Sequence, residues 1–290
     1  LRAQFGGTGW INDQTNGIGY LFALRELAND IDKKWPQVLK KLEDMREALI
    51  NAKTLLCNVT LDSANWNTIR PHLENFIFAL PIKDVQLKDF ETITRIKREG
   101  LAIPAQVNYV GKGANLYELG YESDGSSEVV IGYLRMTYLW EKIRVLGGAY
   151  GAFAQFDDGT GVFSFLSYRD PNISGTIKNY DKAAAFLKGL DESRLSDREL
   201  KKAIIAAIGD LDAYQLPDAK GYTSMMRYIT HRTEEMRQRF RDEVLSANGE
   251  DFIAFGDVLE KVSQSNAVVV VGSQSALEGA NAGLKVTKVL

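Results

Sequence analysis

The chain has 290 residues, of which 45% are apolar and 25% charged, a composition typical of a globular protein with room for two domains. Its net charge of −3 gives no electrostatic reason to expect nucleic acid or an anionic membrane as a partner. The single cysteine, Cys57, excludes an intrachain disulfide and a cysteine-based zinc site, and we interpret it as a buried thiol in a strand. No apolar run is long enough to cross a bilayer.

The first third of the chain predicts helices, one strand and an incomplete domain. Residues 1–16 are polar and rich in glycine, which predicts a loop, and helical spacing follows over 18–31. Trp35-Pro36 opens a second helix with Val38, Leu42, Met45 and Leu49 on one face. A strand over 54–61 precedes a helix whose expected core face is Trp66, Ile69, Leu73 and Phe76. Because these elements cannot cover both faces of a sheet, we interpret 1–82 as the C-terminal part of a domain begun upstream. Residues 83–100 form a charged connection.

From Leu101 to the end, the pattern predicts a complete α+β domain in which helices cover a sheet. The predicted elements are a strand over 105–110, a long helix to Arg144, a hairpin turning at 157–161, helices over 174–190, 197–208, from 217, over 233–246 and after Asn248, and a strand over 267–271. The expected buried face of the long helix is Val129, Tyr133, Met136, Trp140 and Ile143.

A glycine-rich bend lies between the long helix and the hairpin. Arg144 and Tyr150 flank Gly147 and Gly148, and glycines let a backbone turn sharply or let a ligand approach it. A guanidinium and a phenol displayed there are good donors to a peptide carbonyl or to an oxyanion. The alternative is an ordinary helix C-terminus, with glycine as the cap and Arg144 at the negative end of the dipole.

Four stretches in order resemble the C-terminal part of the presequence-protease group, within the pitrilysin/insulinase family of zinc metallopeptidases. They are Gln106 to Lys112, Ile143 to Phe153, Gly161 to Asn172, and Ala206 to Tyr222. The resemblance implies a fold of two bowl-like halves, each of two homologous α+β domains, that close on an unfolded peptide. In that family an Arg and a Tyr six positions apart reach the substrate near the zinc, and Arg144 and Tyr150 match them.

The resemblance also implies the partners and the place of the chemistry. Arg144 and Tyr150 are expected to be catalytic, with Gly147, Gly148 and Lys112 contacting the substrate. Zn²⁺ and its general base belong to an N-terminal half outside this chain, so the expected partners are that half and an unfolded peptide, with no nucleic acid and no membrane. The expected location is the mitochondrial matrix, or alternatively the plastid stroma. The chain begins with Leu1 rather than Met, so we expect it to be a piece of a longer polypeptide.

The histidines support the expectation that zinc binds elsewhere. A zinc peptidase needs two imidazoles on one helix face, as in His-x-x-x-His or His-x-x-Glu-His, and His72 and His231 form no such pair. Gly111-Lys112-Gly113 lacks the spacing of a phosphate-binding loop. Asp157-Asp158 is explained by turn chemistry, since acidic residues are common before glycine in turns. Asp210 and Asp212 could be paired carboxylates, but the nearby Pro217 and Gly221 favour a structural junction. Two rival functions remain: a non-catalytic family member that serves as a structural or peptide-binding subunit, and an independent interaction module.

Overall fold

The computed structural model describes residues 1–84, 97–191 and 194–290. The described residues form two compact units: unit 1 contains Leu1–Thr15, Thr92–Ala213 and Glu235–Leu290, and unit 2 contains Asn16–Glu91 and Tyr214–Glu234. Unit 1 carries all the strands of the described chain, and unit 2 is built of helices and irregular segments.

The helices and strands follow one another in an order that places most of the sheet in the second half of the chain. A 3-10 turn at Arg2–Gln4 comes first, followed by α1 (Gly7–Asn16), α2 (Ile18–Lys33), α3 (Trp35–Leu49), α4 (Ser63–Phe78), β1 (Arg98–Ala102), β2 (Asn108–Asn115), α5 (Ser126–Leu134), a π-helical segment (Arg135–Val145), β3 (Gly151–Asp157), β4 (Val162–Asp170), α6 (Ile173–Lys188), α7 (Asp197–Leu211), α8 (Pro217–Ile229), α9 (Glu234–Ser246), α10 (Gly249–Ser263), β5 (Val268–Gly272), α11 (Gln274–Gly279) and β6 (Lys285–Lys288).

The described strands of unit 1 form one sheet in the order β3-β4-β2-β5-β1-β6. The pairs from β3 to β5 are antiparallel, whereas β1 runs parallel to both β5 and β6. β5 alternates between buried and half-buried valines, since successive side chains of a strand point to opposite faces. The edge at β3 carries the glycine-rich bend at its N-terminal end.

One face of the sheet is covered by helices and holds the main core. Phe163 and Phe165 of β4 pack there beside Phe252 of α10, and all three are almost fully buried. Burying such a side chain contributes about 1.5–3 kcal/mol relative to leaving it exposed. On the other face, Leu1 and Phe5 pack near the turn between β3 and β4 in a small separate cluster. The α+β prediction of a sheet covered by helices is therefore confirmed.

The segment after α5 departs from the predicted helix. Residues Arg135–Val145 are π-helical, and the wider turn changes which positions share a face. Tyr138, Leu139 and Ile143 are buried, whereas Met136 and Trp140 are exposed, so the prediction that the last two are core residues is wrong.

Unit 2 departs further from the sequence prediction. Residues 55–62 have no regular structure, and Cys57 is exposed, so the predicted strand and its buried thiol are wrong. A strand needs a partner to satisfy its backbone groups, and the described residues of unit 2 offer none. Helices α2, α3 and α4 form as predicted, but the predicted loop over 1–16 is wrong because Gly7–Asn16 is the helix α1. Of the expected core faces, Val38 is buried, whereas Leu49 and Phe76 are more than half exposed.

Contacts divide the chain differently from the sequence interpretation. Residues 1–15 lie in unit 1, residues 214–234 lie in unit 2, and β1 begins at Arg98, inside the predicted connection. The rest of that connection, residues 85–96, lies outside the described residues. The predicted division into 1–82, 83–100 and 101–290 describes which segments belong to homologous domains. Contacts within the chain do not test homology, so this division stays a proposal. Within the described chain, none of the helices is both long and apolar enough to span a membrane.

Tyr138 allows a test of the core in alkaline solution. Its hydroxyl donates to the Asn179 carbonyl at 2.8 Å, and burial, with a smaller effect of Asp181, raises the pKa of Tyr138 to about 12. An unfolded chain loses that proton near pH 10, so this residue's contribution to stability is complete below pH about 10 and is lost as the pH rises through about 12. Tyr138→Phe should lower the free energy of unfolding by about 1 kcal/mol at pH 8 through the lost hydrogen bond.

The difference between Tyr138→Phe and the parent chain should then narrow between pH 10 and 12, as urea titrations at several pH values would measure. Tyr228→Phe is the control because Tyr228 is exposed. A difference that stays constant up to pH 12 would contradict the role given to burial of Tyr138.

Candidate functional site

The bend that joins the π-helical segment to β3 is held by backbone hydrogen bonds. The amide of Gly148 donates to the Arg144 carbonyl, and that of Ala149 donates to the Ile143 carbonyl, each at 3.1 Å. Gly148 has a φ of +78°, the left-handed conformation that commonly ends a helix. A Cβ on Gly147 would lie 2.6 Å from the Ile143 carbonyl oxygen, so this position also requires glycine. The helix-cap interpretation thus describes the backbone correctly.

The side chains at the bend form a second, separate arrangement. The Arg144 guanidinium carbon lies 4.6 Å from the ring centroid of Trp140 and 5.2 Å from that of Tyr150. Cation–π contacts of this kind contribute about 0.5–1 kcal/mol each at exposed sites, which is enough to bias the rotamer of Arg144. Tyr150 keeps 62% of its surface exposed. Arg144 is therefore oriented by aromatic rings toward a surface that solvent or a ligand can reach.

The hairpin adds two residues to this surface. Gly151 lies opposite Tyr168 in the register of β3 and β4, and the Tyr150 amide donates to the Tyr168 carbonyl at 3.0 Å. The Tyr168 ring packs edge-on against Tyr150 at 5.8 Å between centroids. The guanidinium of Arg169 lies 5.9 Å from the Tyr150 centroid and 5.4 Å from that of Tyr168. We call Trp140, Arg144, Tyr150, Tyr168 and Arg169 the aromatic–arginine cluster.

The cluster carries two positive charges without a compensating acid. In the part of the chain that the structure describes, neither the Arg144 guanidinium nor the Arg169 guanidinium has a salt-bridge or hydrogen-bond partner. Each guanidinium holds five N–H donors in a planar fork that suits carbonyl and carboxylate oxygens. The Tyr150 hydroxyl adds a further donor. The arrangement can therefore bind oxygen atoms of a peptide from one side.

Lys112 does not belong to this surface, and the expectation that it contacts the substrate is wrong for this structure. Its side chain is 3% exposed, and its Nζ donates to Asp181 Oδ1 and to the Ser263 carbonyl, each at 2.6 Å. Side chains alternate along β2, so Lys112 points to the same helix-covered face as Val110 and Ala114. There it meets its partners on α6 and α10. Lys112 thus ties the sheet to two helices.

The structure brings together four of the five predicted site residues: Arg144, Gly147, Gly148 and Tyr150. Sequence reasoning missed Trp140, because helical spacing assigned it to the core, and missed Tyr168 and Arg169 entirely. A signal for the last two was present in the predicted hairpin. Counting outward from the turn at Asp157 and Val162 places Arg169 opposite Tyr150, one step beyond the last observed pair, Gly151 with Tyr168.

Two of the acidic residues weighed earlier, Asp157 and Asp212, have structural partners. Asp157 accepts from the Gly159 amide at 3.1 Å, as turn chemistry requires. Asp212 binds Arg241 through both carboxylate oxygens at 2.6 and 2.8 Å, which lowers the pKa of Asp212. Among the residues that the structure describes, no three His, Cys, Asp or Glu side chains lie together so as to hold a metal ion. The described residues do not fit zinc, and the expectation that zinc is bound outside this chain stays a prediction.

A cavity of about 580 Å³ lies in unit 1 between α5, the π-helical segment, α7 and β3. Its wall includes Glu128, Met136, Ala154, Ala203 and Asp210, and none of the predicted site residues. The candidate site lies outside this cavity, at the edge of the sheet, where Tyr150 is exposed.

The chain resembles known proteins over almost all its length. Residues 98–274, which begin at the first residue of β1, match the family described as the PreP C-terminal domain. Presequence protease 1, chloroplastic/mitochondrial, of Arabidopsis thaliana is 40% identical over 97% of this chain and 26% of that protein. The mitochondrial presequence protease of Emericella nidulans is 28% identical over 83% of this chain and 23% of its own, and protein HypA of Clostridium perfringens is 26% identical over 93% and 27%.

The chain spans about a quarter of the length of these curated relatives. Two solved structures are similar at a lower level. An M16 peptidase inactive domain from Pseudomonas fluorescens gives a TM-score of 0.48 at 15% identity over 74% of this chain and 52% of that one. Pitrilysin gives 0.44 at 16% identity over 78% and 25%. At these scores the likeness adds nothing to the sheet order and helix layer described above.

The structural role of Lys112 is testable by a double-mutant cycle. Lys112→Met should lower the free energy of unfolding by about 2–3 kcal/mol, below the usual 3–5 kcal/mol for one half of a buried pair because Asp181 is partly solvated. Asp181→Asn should also destabilise the chain. The two changes together should cost less than their sum, since they remove one shared interaction. Strict additivity in denaturant titrations would show that the pair does not stabilise the fold.

Proposed function

We propose, from the premise that the chain belongs to the family of PreP C-terminal domains, that it forms the C-terminal part of a zinc metalloendopeptidase. In this proposal the protease degrades unfolded peptides such as cleaved targeting presequences. The chain supplies substrate-binding and oxyanion-stabilising side chains, and the metal is held by an N-terminal half. Residues 1–82, 83–100 and 101–290 are then the end of one family domain, a connection and a complete second domain.

The observation that carries the proposal is the pair of Arg144 and Tyr150 at the bend, in which Tyr150 is exposed and Arg144 is half-buried. A structural arginine at a helix end would pair with an acid or with terminal carbonyls, yet this guanidinium stacks on Trp140 and Tyr150 and has no such partner among the described residues. Gly147 and Gly148 are explained by the backbone geometry of the bend, and neither adds a side chain next to the aromatic–arginine cluster.

The proposed chemistry of this chain is hydrogen bonding to oxygen. Arg144 and Tyr150 donate to carbonyl oxygens of an extended peptide and to the oxyanion that forms when one of them is attacked. Fixed donors aimed at a developing charge stabilise the transition state more than the ground state. An open surface suits this role because the opposite wall of the site belongs to the other half of the protease.

The names of the relatives support a location and a substrate. The Arabidopsis relative is named chloroplastic/mitochondrial and the Emericella relative mitochondrial, and both are named presequence proteases. We place the protein in the mitochondrial matrix, with the plastid stroma as the alternative, and take unfolded peptides and the N-terminal half as its partners. A non-catalytic family member with a peptide-binding role is the rival function.

Substitutions at the bend test the proposal in the intact protease. Tyr150→Phe removes one donor and leaves the ring against Tyr168, so the catalytic rate should fall by about 100-fold or somewhat less, the lower end for an oxyanion donor. Arg144→Lys keeps the charge but loses the planar fork and should also slow the enzyme. Steady-state kinetics with a quenched peptide measures both effects.

Thermal melts and metal analysis of the same variants provide the controls. Both variants should melt like the parent and retain zinc, and Arg198→Lys, on the helix layer, should leave catalysis unchanged. If turnover in both bend variants is near normal, Arg144 and Tyr150 are structural residues only, as the helix-cap interpretation holds.

A second prediction concerns the 290-residue chain by itself. Because its two histidines and the described acidic residues do not form a zinc site, the chain should neither bind catalytic zinc nor cleave peptides. Metal analysis after dialysis and a quenched-peptide assay measure this. Stoichiometric zinc together with chelator-sensitive cleavage would overturn the assignment of the metal to another half.

A further inference from the structure

We propose that Arg169 is a specificity-determining residue that binds a carboxylate of the peptide substrate, beside the Arg144 and Tyr150 pair. This inference rests on the proposed function for its peptide ligand, but it concerns a different residue and a different group of the ligand. Its basis is the position of Arg169, the way its backbone is held, and its lack of an acid partner.

The position of Arg169 extends the aromatic–arginine cluster along the sheet. Its guanidinium contacts the rings of Tyr150 and Tyr168, and Tyr168 packs edge-on against Tyr109 of β2 at 5.4 Å between centroids. The Tyr150 ring thus has one guanidinium 5.2 Å away and a second 5.9 Å away. Arg144 and Arg169 therefore both border the ring of Tyr150.

The backbone of Arg169 is held in an unfavourable conformation. Its φ of +50° falls in the left-handed region, which is uncommon and strained for residues other than glycine. The next residue fixes it: the fully buried carboxylate of Asp170 accepts from the Asn172 amide at 2.7 Å and from the Thr176 hydroxyl at 2.6 Å. The Asp170 carbonyl also accepts from the Asn108 side chain at 2.9 Å.

These contacts hold the chain direction at the end of β4 and leave the Arg169 side chain on the surface. Arg169 is exposed, and the two rings that its guanidinium contacts, Tyr150 and Tyr168, are exposed as well, so its side chain adds little to packing. Strain that the surroundings enforce, at a residue that adds little to packing, is characteristic of binding sites.

The charge of the site identifies the ligand group. Two guanidiniums share one phenol ring, and the described chain offers neither of them a carboxylate. A carboxylate bound at the Arg169 guanidinium would supply the negative charge that the described chain does not. A planar guanidinium binds a carboxylate through two parallel hydrogen bonds, a geometry that a lone carbonyl cannot match. A peptide carries such a group at its C-terminus or on an acidic side chain.

Binding measurements with the intact protease test the proposal. Four labelled peptides share one neutral sequence: free C-terminus, C-terminal amide, amide with one Glu, and amide with Gln in place of that Glu. Fluorescence anisotropy is measured with a chelator present so that the peptides are not consumed. Arg169→Gln should weaken binding of the carboxylate-bearing peptides by about tenfold, the low end for a charge-assisted hydrogen bond at an exposed position.

The pattern across the four peptides identifies the source of the carboxylate. A loss confined to the free C-terminus assigns the terminal carboxylate, and a loss confined to the Glu peptide assigns an acidic side chain. The amidated Gln peptide should bind as before. Arg169→Asn, which tolerates a left-handed backbone, should repeat the result, and Arg198→Gln is the control that removes an equal charge from the helix layer.

Two results would overturn the proposal. Arg169→Gln and Arg169→Asn could match Arg198→Gln on every peptide, or they could weaken all four equally, which would make Arg169 a general peptide contact without carboxylate preference. These experiments measure peptide binding and not turnover. The proposed function is tested separately, by the turnover of the Tyr150→Phe and Arg144→Lys variants.

Discussion

The left-handed backbone of Gly148 is the constraint on which the candidate site depends. It ends the π-helical segment and turns the chain into β3, so that Tyr150 immediately precedes the first residue of this edge strand. A side chain at this position would be strained whatever space surrounded it, and one at Gly147 would meet the Ile143 carbonyl. If the bend opened, Arg144 and Tyr150 would separate, and the hairpin would no longer present Tyr168 and Arg169 beside them.

The π-helical segment and the bend act together. Wider helical turns occur mostly as short insertions and often at functional sites, and here the segment extends over 11 residues. Its effect is to bury Tyr138, Leu139 and Ile143 while turning Trp140 outward beneath Arg144. The site is thus assembled from a helix end and a hairpin base that are both anchored in the sheet. A rigid scaffold of this kind holds donors in place without a pocket around them.

Much of unit 1 follows from the sequence because its signals are local and agree with one another. The hairpin turn at 157–161, the caps at Ser196 and Asn248, and the valine run of β5 each specify an element, and the elements formed. The π-helical hydrogen bonding leaves no such signal, so Trp140 was assigned to the core. Lys112 was misjudged because a buried cation depends on partners far along the chain, Asp181 and Ser263. In unit 2 the helical periodicity was right, but the predicted strand had no partner to pair with.

The account makes one central claim, that Tyr150 faces the peptide. Photo-crosslinking in the intact protease tests it most directly, with a benzophenone amino acid at position 150 and, as control, at Ile205, an exposed position on α7 of the same unit. An unfolded labelled peptide should crosslink at position 150 and not at 205, and unlabelled peptide should compete the product away. Crosslinking at 205 alone, or at neither position while the peptide is bound, would contradict the claim.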